Sequence, residues 1–157
     1  MGHSVTGLVG AQELLERFAE RRALHPPVSL IEGLAILPLR DRDLDAFLLP
    51  PMTGHPEGFT YLSEQLAKEL RLASVGGMLM YFETEYFGGS GVQGAAVFCD
   101  GATVFGPKAA EFGPINEALA RLGVRVSSPG RDEFDTVGLD RHRHTEDWLG
   151  EGRGDDD

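Results

Sequence analysis

Apolar positions along this chain recur at two spacings, and the switches between them mark its elements. In AQELLERFAERRAL, Ala11, Leu14, Leu15, Phe18 and Arg22 fall on one side at three- and four-residue intervals, and Glu13 can pair with Arg17 four positions on. This predicts a helix near 11–24, stopped by His25, Pro26 and Pro27. LAILPL, Leu34 to Leu39, is a short apolar run that reads as a strand, with Pro38 suited to an edge or to the strand's end. DRDLDAFL follows with the acidic start of a short helix or turn. PPMTGHPEG, Pro50 to Gly58, is a loop by composition. It leads into a second helix near 63–73, with Ser63 as candidate N-cap and Leu62, Leu66, Leu70 and Ala73 turned inward. Gly76 and Gly77 end it.

The period then drops to two. MLMYFETEYF places Met78, Met80, Phe82, Thr84 and Tyr86 on one side of a strand and Tyr81, Glu83 and Glu85 on the other. GAAVFC is a second strand, and Asp100-Gly101 is a two-residue hairpin signal into ATVFG, so three strands form an antiparallel meander. GPINEALARLG returns to helical spacing: Pro114 suits the first turn, Ile115, Ala118, Leu119 and Leu122 form the stripe, and Gly123 can end it in a left-handed conformation. VRVSS is a candidate further strand, and Phe134, Val137, Leu139, Trp148 and Leu149 are anchors enough to dock the last segment. The expectation is a single α+β domain over 1–150. Its antiparallel sheet has about four strands centred on 78–106, helices pack mainly on one face, and a disordered acidic tail spans 151–157.

Composition changes this picture in two respects. With 157 residues, 41% of them apolar, the chain can build a core without disulfides or structural metal, and its single Cys99, inside an apolar run, reads as a small buried hydrophobe in a reducing compartment. The N-terminal MGHSVTGLVG has no basic region or signal-length apolar run, and no stretch reaches the length of a membrane span, so the expected location is cytoplasmic. Twenty-five carboxylates against fourteen basic side chains give a formal charge of −11. That repels nucleic acid and anionic membrane and steers basic protein surfaces inward. The same charge can also serve solubility alone.

GSGVQG, Gly89 to Gly94, has the G-x-G-x-x-G spacing of phosphate-binding loops. A dinucleotide fingerprint needs these glycines between a strand and a helix, with an acidic residue about 20 positions on. Here AAVFCDGATVF follows, which reads as strand, hairpin, strand. Protein kinases place a similar loop between antiparallel strands, but the lysine and catalytic-loop motifs they require are missing. The cluster therefore reads as a wide glycine-rich hairpin, with no cofactor assigned. Exposed backbone and projecting side chains at Glu83, Glu85, Tyr86, Gly88, Gly89 and Gln93 make it a candidate partner-binding surface, and Asp132, Glu133 and Asp135 make a second acidic patch.

Two further groupings have chemical potential. Glu83 and Glu85, two apart on a strand, would stand about 6 to 7 Å apart on one face, a spacing open to a metal ion or an acid–base pair, or to a solvated sheet face. DRHRHTEDW supplies His142, His144 and Glu146, the densest set of metal-ligating types, although its spacing matches no strong zinc signature. The alternative reading is thus a small metal-assisted hydrolase using His142, His144 and Glu146. No G-x-S-x-G elbow is present and no catalytic residue is assigned.

At ETEYFGGSGVQGAAVF, GPINEALARLGV and DEFDTVGLDRHRHTEDWL, about the last 80 residues, the chain resembles small uncharacterised bacterial proteins of the polymorphic-toxin immunity type. The resemblance implies no enzyme activity. It implies a non-enzymatic binding module that neutralises a toxin, and an acidic chain fits a basic toxin.

Overall fold

The computed structural model of the chain describes residues 3–30, 33–40, 43, 59, 62, 64–87, 90–126, 132–139, 144, 145, 147 and 148. Among them six strands form one antiparallel sheet: β1 Thr6–Ala11, β2 Val28–Ser29, β3 Leu34–Pro38, β4 Met78–Phe87, β5 Ser90–Cys99 and β6 Ala102–Ala110, in the spatial order β2-β3-β1-β4-β5-β6. Four helices accompany the sheet: α1 Gln12–Arg21, α2 Glu64–Ala73, α3 Pro114–Arg121 and α4 Glu133–Val137.

The sheet is larger than the four strands expected, and β1 is the main reason. It sits in the middle, pairing with β3 through Gly7↔Pro38 to Ala11↔Leu34 and with β4 through Thr6↔Glu83 to Gly10↔Leu79. Its sequence, TGLVGA, has neither clean alternation nor a β-branched run. Both of its faces are covered, so alternation of apolar and polar positions disappears. Its glycines answer to close packing: a Cβ on Gly7 would lie 3.0 Å from the Leu37 carbonyl oxygen, and one on Gly10 3.0 Å from that of Met78.

The helices do not gather mainly on one face. Leu8, Ala35, Leu37, Leu79, Tyr81, Ala96 and Phe98 turn towards Leu14, Leu15 and Phe18 of α1 and Leu66 and Leu70 of α2. The alternate residues Val9, Ile36, Met80, Phe82, Ala95 and Val97 turn to the other side, where Ile115, Ala118 and Leu119 of α3, Val137, Leu139 and Trp148 cover them. The result is three layers with two hydrophobic cores, which the continuous apolar runs of the central strands require. Trp148 is fully buried, so the end of the described chain is fastened into the second core.

Local signals mostly hold. Asp100 and Gly101 both have positive φ and join Cys99↔Ala102 as a two-residue turn. Pro114 is the first residue of α3, and Gly123, at φ 100, follows its C-cap. Pro38 ends β3. Cys99 is half-buried, less enclosed than expected. Residues 124–126 of VRVSS are not a strand, and 127–128 lie outside the described residues, as do Ser63 and the tail.

Candidate functional site

The glycine cluster is a correction in detail. Phe87 pairs with Ser90, so only Gly88 and Gly89, which lie outside the described residues, join β4 to β5. The hairpin connection is thus two residues long, and Gly91 and Gly94 belong to β5 itself. A Cβ on Gly91 would stand 2.6 Å from Tyr86 Cα, and one on Gly94 would lie 2.6 to 3.0 Å from three ring carbons of Phe59. These two glycines let strands and an aromatic ring approach closely. The strand runs on to Cys99 without starting a helix.

Glu83 and Glu85 share a face of β4 but differ in surroundings. Glu83 is 7% exposed and its Oε2 accepts from the Tyr81 hydroxyl at 2.6 Å and from the Leu62 backbone N–H at 3.1 Å. Its carboxylate is a buried acceptor tying β4 to the chain just before α2, and does not project from the hairpin as expected. Glu85 is exposed. Gln93 is also engaged: its Nε2 donates to the Tyr86 hydroxyl at 3.0 Å and its Oε1 accepts from Ile115 N at 2.8 Å. That acceptor satisfies one of the free N–H groups in the first turn of α3.

Tyr86 completes this join, donating from its hydroxyl to the Glu111 carbonyl. Burial raises the pKa of the phenol above 10.0; the Gln93 bond opposes this and the Glu111 charge adds to it, so Tyr86 stays neutral in ordinary conditions. Its ring stacks on Phe112, with centroids 6.4 Å apart and planes inclined by 25°. Phe112 is 71% exposed, the most exposed large apolar side chain described.

Of the two patches predicted separately, Tyr86 and Gln93 of the first meet the Asp132–Glu133 segment of the second through α3, while Glu83 and Glu85 stand on the other face of β4. Asn116 of α3 donates to Asp132 Oδ2 at 3.1 Å and accepts from Phe134 N at 3.0 Å, which ties α4 to α3. The His3 ring meets Phe134 edge-on at 5.3 Å, and its backbone pairs with Tyr86 through N–H···O distances of 3.1 and 2.9 Å. Thr84 braces the loop of contacts, its Oγ1 lying 2.7 Å from His3 Nδ1 and 2.9 Å from Val5 N. A closed circuit thus runs Tyr86–Gln93–α3–α4–His3–Tyr86. Exposed Glu111, Asp132 and Glu117 border it, with half-buried Glu133. Lys108 pairs with Glu117 at 3.0 Å. The side chain of Asp135 lies outside the described residues.

Sequence reading missed Glu111 and Phe112. Their signal is local: EFGP puts a large aromatic outside every apolar stripe, directly before the Gly-Pro that opens α3. An aromatic there cannot join the helix's inward face.

Of the histidine cluster, His142 and Glu146 lie outside the described residues. His144 is exposed and forms an isolated parallel bridge with Ser4. Among the described residues no three His, Cys, Asp or Glu side chains gather as a metal site. No helix among them is long and apolar enough to cross a membrane. Comparison with family models, with curated proteins and with solved structures gives no match.

Proposed function

We propose that this chain is a non-enzymatic protein-binding module that captures a partner with a basic surface, acting as an immunity protein that neutralises a basic toxin. The observation that carries this reading is Phe112: 71% exposed, backed by the Tyr86 ring and preceded in the chain by exposed Glu111. An aromatic braced by a second ring loses little freedom when a partner covers it, which is how interface anchors concentrate affinity. Full burial of such a side chain contributes about 1.5–3 kcal/mol. Around the same circuit Glu111, Asp132 and Glu133 supply negative charge, and the net charge of −11 speeds approach of a cationic surface.

The proposal divides the labour between these groups. Phe112 sets how long the complex lasts, and the carboxylates set how fast it forms. Affinity capture from the native cell with immobilised wild type and with Phe112→Ala tests it. The expected result is a basic protein retained by wild type and lost, or weakened at least about tenfold, in the variant. Its circular dichroism and urea midpoint should match wild type. Equal retention by both proteins, or a retained set without any basic protein, overturns the reading.

A further inference from the structure

We infer that the trough between α1 and the end of α2 is a second docking site, for an acidic amphipathic segment of a partner protein. It belongs to the sheet face opposite α3 and Phe112, and has a volume of about 400 Å³. Leu14 and Ala73, each 4% exposed, form its floor. Leu72 and Val75 form one wall while remaining 58% and 59% exposed, more than any described large apolar residue except Phe112.

Arg17 and Arg21 stand on the other wall, four residues and therefore about 6 Å apart along α1. Neither guanidinium makes a hydrogen bond or ion pair among the described residues, whereas neighbouring Arg22 pairs with Glu69. Glu20 is the single carboxylate of the lining. Two unengaged guanidinium groups beside exposed aliphatics are conspicuous in a chain with 14 basic and 25 acidic residues.

Charge and shape together select the occupant. Carboxylates one helical turn apart match the arginine spacing and can be gripped in bidentate fashion, while aliphatic side chains between them cover Leu72 and Val75. The trough is open along the Leu72–Val75 wall, so it cannot enclose most of a small ligand as small-molecule sites do. A second copy of the chain would bring −11 against −11.

The test uses the full chain with labelled methyl groups and a synthetic peptide of about sixteen residues carrying Leu and Glu at helical spacing. The Leu72 and Val75 methyl resonances should shift saturably, and Arg17→Glu with Arg21→Glu should weaken binding at least about tenfold in a protein that remains folded. Phe112→Ala should bind the peptide as wild type does, which separates this site from the first. The assignment is overturned if the methyls do not move, or if a peptide with Lys replacing Glu moves them equally. Equal shifts from decanoate alone would point to a small carboxylate, and shifts on dilution with a sedimenting dimer would point to self-association; either also overturns it.

Discussion

Replacing Glu83 by alanine should destabilise the fold severely, while the same change at Glu85, two residues along the same face, should not. The Glu83 carboxylate takes the Tyr81 hydroxyl at 2.6 Å and the Leu62 N–H at 3.1 Å in a site 7% exposed. Removing it strands two buried donors, each costing about 1–3 kcal/mol, so Glu83→Ala should lose about 2–6 kcal/mol. For a chain of 157 residues each kcal/mol corresponds to about 2–4 °C in melting temperature. Glu85→Ala, on an exposed side chain, should stay within about 0.5 kcal/mol of wild type. Glu83→Gln retains one oxygen and should fall between the two, which keeps the measurement possible if the alanine variant does not fold. Urea denaturation supplies the midpoints at constant slope. A cycle with Tyr81→Phe should give a coupling of about 0.5–3 kcal/mol. A loss below about 0.5 kcal/mol for Glu83→Ala, or strict additivity with Tyr81→Phe, would refute the structural role assigned to this carboxylate.

Three further perturbations probe other parts of the fold. Gly91→Ala places a Cβ within 2.6 Å of Tyr86 Cα, a backbone atom that cannot swing aside, so it should cost at least about 1–3 kcal/mol and broaden amide signals along β4 and β5; a wild-type melting temperature would contradict this. Ala23 holds φ 56 just beyond α1, so Ala23→Gly should raise stability by up to about 1 kcal/mol, and an unchanged or lowered urea midpoint would argue against that strain. Burial opposes ionisation of Asp43, but bonds from the Arg40 side chain and backbone and the charges of Arg40 and His25 together lower its pKa below 3.8. Because the folded value is depressed, its stabilisation is complete above the unfolded value and is lost as pH falls through the folded one. The stability gap between wild type and Asp43→Asn should therefore narrow only below 3.8, and a gap constant down to about pH 2 would contradict the assignment.

Elements with their own local chemistry were legible in the chain. The apolar stripes of α1, α2 and α3, the alternation in β4, and the Asp100-Gly101 turn are each written within a dozen residues. What escaped depends on partners distant in sequence. β1 is fixed by β3 and β4 on its two sides, and its glycines acquire meaning only when the carbonyls of Leu37 and Met78 arrive. The second helical layer escaped for the same reason, since a strand covered on both faces does not announce which helix covers which. In the candidate site, Glu85 and Tyr86 could be picked out as unusual residues near a turn, but Gln93 and Glu83 could not be assigned their inward roles. Both polar side chains look solvated in sequence, and only the arrival of Ile115 N and Leu62 N shows them to be internal acceptors. The union of the Tyr86 and Asp132 patches depends on Asn116 and His3, residues 30 and 83 positions from the tyrosine (116 − 86 and 86 − 3).

Capture of a partner at the Tyr86–Phe112 face, as proposed, is open to direct measurement. Hydrogen exchange of the chain alone and bound to the basic protein it retains reads that face directly. Binding there should add protection at residues 84–86 and 111–117 and in α4. Protection confined to α1, α2 or the β2 edge, with these segments unchanged, would contradict it.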